Sequence, residues 1–153
     1  MSEAELIAKQ LRRAVEGRAW HGPALLEALE GVTAKTAAAP SPAGLHSIWQ
    51  LVLHITTWEA AVLRWLGGDG SRPGEDENWP AISDTSEAAW HAAVARLKAG
   101  NVALREAVAR LDDARLEQPI VEGMPSTYST LHGVVHHALY HAGQIAMLKK
   151  LNA

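Results

Sequence analysis

In the stretch Trp90-His91-Ala92-Ala93-Val94-Ala95-Arg96-Leu97-Lys98-Ala99-Gly100-Asn101-Val102-Ala103-Leu104-Arg105-Glu106-Ala107-Val108-Ala109-Arg110-Leu111, the residues Trp90, Val94, Leu97, Asn101, Leu104, Val108 and Leu111 recur at alternating steps of four and three. That spacing aligns them along one side of an α-helix, as the seam of a helical bundle. Its one polar member, Asn101, either sets the register of the helix at some cost in stability or points its amide toward a polar site in the core. Gly100 beside it permits close approach of a neighbour or is a tolerated helix defect.

This helix is expected to run from about Asp84 to Leu111, and three more helical segments surround it. The first begins at Ser2, whose spacing to Glu5 suits a capping box, and continues to about Glu30 with a break or kink around Gly17 and Trp20-His21-Gly22-Pro23. After a loop containing Pro40 and Pro42, the second starts at Ser47, again with a capping-box partner at Gln50, and stops at Gly67-Gly68. A polar connection, Asp69 to Ser83, leads to the seam helix. An irregular stretch with Pro119 and Pro125 then leads to the last segment, about Ser129 to Leu151. Strand-like alternation and internal repeats are absent, so the expectation is an all-α four-helix bundle in a single domain, 1–153.

The second segment is apolar almost all round, with Ile48, Trp49, Leu51, Val52, Leu53, Ile55, Trp58, Val62, Leu63, Trp65 and Leu66 leaving only a narrow polar strip. Such a helix needs cover on both sides, and in a chain of this size the simplest cover is the core on one side and a second copy on the other, giving a homodimer. Gln50, His54, Glu59 and Arg64 interrupt the run, so it reads as a buried helix rather than a membrane span. Residues Met1 to Arg13 mix charges with apolar positions and do not read as a signal peptide. A cytoplasmic location follows as the expectation.

A chain of 153 residues buries roughly 70% of its unfolded surface around one core. Its net charge of -3 and scattered Lys and Arg argue against a nucleic-acid partner, which would need a clustered basic face. With no cysteine there is no disulfide, thiolate metal site or thiol nucleophile, and any bound metal must rely on imidazole and oxygen. Eight histidines therefore hold the interest.

The last segment, Leu131-His132-Gly133-Val134-Val135-His136-His137-Ala138-Leu139-Tyr140-His141-Ala142-Gly143-Gln144-Ile145, contains two interlocked pairs of histidines four residues apart. Each such pair stacks two imidazoles on one helical face, within reach of one metal ion. At about 100° per residue, His137 and His141 fall on the side of Val134, Gln144, Ile145 and Leu148, whereas His132 and His136 fall near Gly143 and Lys150. The inward pair is His137 and His141. His54, among Leu51, Trp58, Ala61 and Trp65, is a third candidate on a face that must be buried. A lone histidine there is ordinarily a neutral core residue bonded to a carbonyl. Three imidazoles facing one core, with no carboxylate aimed at them, repel when protonated and leave nitrogens unpaired when neutral; a divalent cation satisfies all three. Three ligands also leave positions open for water or substrate, as catalytic rather than structural sites do.

The ending His137-x-x-x-His141-x-Gly143-Gln144-Ile145, with His54 in Leu-Val-Leu-His-Ile-Thr-Thr-Trp-Glu and the Trp20-His21-Gly22-Pro23 segment, resembles the DinB/YfiT-like superfamily over essentially the whole chain. The resemblance implies a four-helix bundle, often dimeric, holding nickel, zinc or iron on three histidines, which map to His54, His137 and His141. Gln144 also matches the motif; one turn beyond His141, it is placed to support a ligand or a bound water, and an interhelical hydrogen bond fits equally. Characterised relatives include S-transferases that use bacillithiol and a mycothiol-dependent isomerase of maleylpyruvate, while many members have no established activity. The resemblance thus implies a metal-dependent thiol S-transferase or a hydrolase-like metalloenzyme, with a small-molecule thiol and an electrophile as partners. The competing readings are a non-catalytic, stress-associated metal-binding protein and a metal-free bundle with buried histidines.

Six Trp, two Tyr and no Phe make up the aromatics, and most of the indoles read as core filler. Trp79, in Glu77-Asn78-Trp79-Pro80, either folds back as a lid over the open end of a bundle site or anchors its loop. Tyr140 points roughly 100° away from His141, which disfavours a direct catalytic role. Capping or solvation accounts for His21, His46 and His91.

Overall fold

The computed structural model describes residues 1–41 and 44–152, so Pro42 of the expected loop lies outside the described residues. Four long helices form the frame: α1 (Glu3–Glu16), α4 (Ile48–Leu66), α6 (Glu87–Ala109) and α8 (Thr127–Leu151). Four short ones fill the connections: α2 (Leu25–Leu29), α3 (Ala34–Ala38), α5 (Glu75–Asn78) and α7 (Asp113–Leu116). Among the long helices, α6 packs on α1 and α4, and α8 packs on α4 and α1. The cyclic order is therefore α1, α6, α4, α8, an all-α four-helix bundle. No helix of the described residues is long and apolar enough to cross a membrane.

Both expected capping boxes are present. Ser2 Oγ accepts from the Glu5 N–H at 3.2 Å while Glu5 Oε2 accepts from the Ser2 N–H at 2.9 Å. Ser47 and Gln50 repeat the exchange at 3.2 and 3.0 Å. The expected first segment does not reach Glu30 as one helix. Of the break or kink expected around Gly17 it is a break: α1 ends at Glu16, Gly17 and Arg18 adopt positive φ of 142° and 61°, and two short helices, α2 and α3, follow. A side chain at 17 would be strained by that φ and would meet Glu27 Oε1 at 3.0 Å. The last segment begins two residues before the expected Ser129, at Thr127, capped by Ser126, whose Oγ accepts from the Ser129 N–H at 3.2 Å. Helix α6 begins three residues after the expected Asp84, at Glu87, capped by Ser86, and Asp84 Oδ1 accepts from the Ser86 N–H just before it.

Trp90, Leu97, Asn101, Leu104 and Val108 of the seam are buried, with Val94 and Leu111 half-buried. Nothing lies within 4 Å of a Cβ added at Gly100, which makes it a tolerated defect rather than a close approach. Much of the cover that α4 needs comes from the chain itself, through α6, α8, α3 and α5, while Leu53, Trp58, Leu63 and Leu66 stay half-buried. Trp49, Trp65 and Trp90 are core, as expected of most indoles, whereas Trp20 stands fully exposed.

Glu59 belongs to this interior, although in sequence it reads as part of the polar strip. It is 1% exposed, and Asn101 Nδ2 donates to its Oε1 at 2.9 Å. Asn101 thus ties α6 to α4 and is not aimed at the histidines. Burial pushes the Glu59 carboxyl up to about 7, against the smaller downward pull of the Asn101 bond.

Candidate metal centre

The frame sets the register of two facing helices. Ser47 starts α4 so that His54 comes two turns into the helix, on the side that packs against α8. On α8, His137 and His141 are one turn apart on a single face. His137 Nε2 lies 3.0 Å from His54 Nε2 and 3.0 Å from His141 Nε2. The three rings each offer a nitrogen within 4.8 Å of the others, and this is a His-only group. His54 and His141 are buried and His137 is half-buried. His132 and His136 lie elsewhere: His136 is exposed, and His132 packs on Tyr128 with ring centroids 4.3 Å apart.

Two of the rings are held from behind. His54 Nδ1 donates to the Asn78 carbonyl at 3.0 Å, and His141 Nδ1 donates to Gln144 Oε1 at 2.6 Å. With their protons on Nδ1, both rings turn an Nε2 lone pair toward His137. His137 has a single Nε2 hydrogen at most and can satisfy only one of them. The convergence is therefore one that a cation resolves and a hydrogen bond cannot. Metal–imidazole bonds of about 2.0–2.1 Å put nitrogens on a shared ion about 3 Å apart, in keeping with the two contacts seen. Three histidines this close together could hold a metal ion.

The electrostatics point the same way. Burial, then the neighbouring His141 and His54, pushes His137 down to about 4. Burial also lowers His54 and His141, with the bonds to Asn78 and Gln144 acting in the opposite direction. All three are thereby kept in the neutral form that binds cations. The Gln144 bond lies within α8, so of its two expected roles the support of a ligand is the one its contact fits.

The connection after α4 builds the rest of the site. Asn78, at the end of α5, accepts from the Trp58 indole through Oδ1 at 2.7 Å as well as from His54 through its carbonyl, and Thr57 Oγ1 donates to the Glu77 carbonyl at 2.9 Å. These bonds draw Trp79 flat over His54, with centroids 4.0 Å apart and planes 4° from parallel. His46 stacks on the other face of Trp79 at 3.4 Å. His46 is exposed, as expected, but solvation leaves out this stacking, and no spacing signal links position 46 to position 79. Asn78 was equally invisible, because its carbonyl is a backbone atom. His91 is exposed beside Glu87, and His21 is exposed.

Two clefts are bounded by the rings. One, of about 440 Å³ between α4 and α8, is bounded by His54 and His137; the other, of about 460 Å³, is bounded by His141, Gln144, His46 and Trp79. Tyr140 lies at the edge of the second, its ring 5.1 Å from that of His141.

A helical bundle with imidazoles gathered from two facing helices fits a metal-binding α-helical protein. The chain belongs to the DinB superfamily, whose family model matches residues 19–145. No curated protein and no solved structure gives a significant match to it.

Proposed function

We propose that this protein is a metal-dependent enzyme that transfers a low-molecular-weight thiol to an electrophilic substrate. The observation that carries the reading is the convergence of three neutral Nε2 atoms, two of them fixed by bonds at Nδ1, on rings that line two clefts. His54, His137 and His141 would hold a divalent ion, with zinc or nickel the best match to imidazole and iron an alternative, and the ion would supply a Lewis acid able to lower the pKa of a thiol.

The chain's own residues do the rest. Asn78 and Gln144 hold two imidazoles in the tautomer that presents Nε2. The Trp79 indole covers one face of His54 and keeps water from that side of the ring. With no cysteine in the chain, the sulfur must come from a diffusible molecule. In the transfer, the thiol loses its proton to solvent, its sulfur lone pair forms the new C–S bond, and the leaving group departs with the electron pair of the bond it breaks. Membership of a superfamily whose characterised members include thiol S-transferases favours this chemistry, and we propose a cytoplasmic setting, in which the thiol would be kept reduced.

The test is to load purified protein with zinc or nickel and follow thioether formation from chlorodinitrobenzene with a panel of small thiols. Turnover that needs both metal and thiol is expected. Stoichiometric metal with no turnover on any thiol would leave a metal-binding protein without transferase activity.

A further inference from the structure

Gly133 sits inside α8, where glycine is the poorest helix former after proline. It is exposed, its φ is not positive, and a Cβ added there meets nothing within 4 Å. Neither backbone conformation nor packing therefore requires it. The space it leaves belongs to the cleft between α4 and α8, one turn before His137.

That cleft is a trough between two helical stripes. His54, Trp58 and Trp65 follow one another along α4, while Thr130, Gly133 and His137 face them along α8. The imidazoles close one end and Trp65 lies toward the other. The two indoles meet edge to face, with centroids 6.1 Å apart and planes at 72°, which lets a flat molecule stack on one and touch the edge of the other. None of the residues lining it is Lys, Arg, Asp or Glu, and away from the imidazoles its polar side chains are Asn78 and Thr130. An ionised group beside the indoles would lose its hydration with no side-chain countercharge to replace it.

We propose that this cleft binds an uncharged, flat, apolar molecule of one or two fused rings, with Gly133 setting the width available to it. Under the thiol-transfer reading, on which only this role rests, the bound molecule is the electrophile. Its reactive carbon lies at the imidazole end and its rings lie along Trp58 and Trp65.

The experiment titrates zinc-loaded protein with 2-naphthol and with a naphthalene disulfonate, which must place at least one charge among the indoles, following tryptophan fluorescence. Wild type should bind the naphthol at least about tenfold more tightly than the disulfonate. Gly133→Leu should weaken naphthol binding by about tenfold or more while retaining its zinc, because a side chain fills the trough. Gly133→Ala should raise the melting temperature by roughly 2–4 °C and weaken binding less. Equal binding of naphthol to wild type and Gly133→Leu, or of the two probes to wild type, would overturn the proposal. Naphthol binding that responds to Gly133 without any thiol turnover would sink the transferase reading and leave the pocket standing. Turnover whose KM for the electrophile ignores Gly133→Leu would do the reverse.

Discussion

Helix α4 buries two polar side chains five residues apart, and their surroundings differ in kind. His54 faces α8, shares its neighbourhood with two more imidazoles, and lies where clefts reach the rings. Glu59 faces α6, has one bond to Asn101, and is closed off. Both depart from the ordinary protonation of their kind, and in both burial is the leading cause. A displaced pKa therefore does not mark the site on α4. What marks it is several lone pairs converging on one point with access from outside, a condition His54 meets and Glu59 does not.

Breaking the convergent side should have the largest effect. His137→Ala or His141→Ala should take the protein from about one divalent ion per chain to almost none, and His132→Ala should leave that content unchanged, as read by elemental analysis after dialysis. Loss of metal in the His132 variant would erase the distinction between the two pairs of histidines on α8.

The closed side should respond to pH. Glu59 titrates near 7 when folded against 4.5 unfolded, so the stability linked to its proton is complete below about 4.5, is lost as pH rises through 7, and changes no further above that. The whole loss is on the order of 3 kcal/mol. Glu59 Oε2 and Asn101 Oδ1 have no partner, and a proton on the acid gives the pair the donor it lacks. Glu59→Gln supplies that donor permanently. The variant should exceed wild type at pH 8 by an amount of this order, with the advantage shrinking toward pH 4.5, in chemical denaturation followed across the range. In metal-free protein the histidines should show the opposite slope, because His137 near 4 folded and 6.5 unfolded loses stability as pH falls through that interval.

A finer test concerns the bonds behind the rings. Gln144→Leu leaves His141 Nδ1 without its acceptor and should weaken metal binding about 10–100-fold with little change in folding, measured by competition with a chelator. Ser47→Ala removes the cap of the helix that carries both polar groups; it should cost about 1 kcal/mol and leave metal content alone.

The inward face of α8 was legible because helical period alone decides which of two interlocked pairs lies beside Val134, Ile145 and Leu148. His54 was legible because its helix is apolar on nearly every side. The capping boxes at Ser2 and Ser47 were legible for a related reason: both partners lie within one turn of chain. Glu59 was read only as a polar interruption of the apolar run, since nothing near it in sequence hints that Asn101, 42 residues away, will cover it. The interruption of the first segment was legible at Gly17, where a break or kink was expected, whereas the short helix α3 fell in what reads as loop before Pro40.

Taken alone, the order of residues determined the elements and their faces: helices where apolar positions repeat every three or four residues, and imidazoles on the inner side of two of them. Only the tertiary structure decided which lone pairs meet, that a backbone carbonyl at Asn78 and an amide at Gln144 orient them, and that His46 and Trp79 stack over His54. The physical reason is range. Helical period and caps act within a turn or two, whereas each of those outcomes, the short Gln144 bond apart, depends on groups brought together from distant parts of the chain by packing.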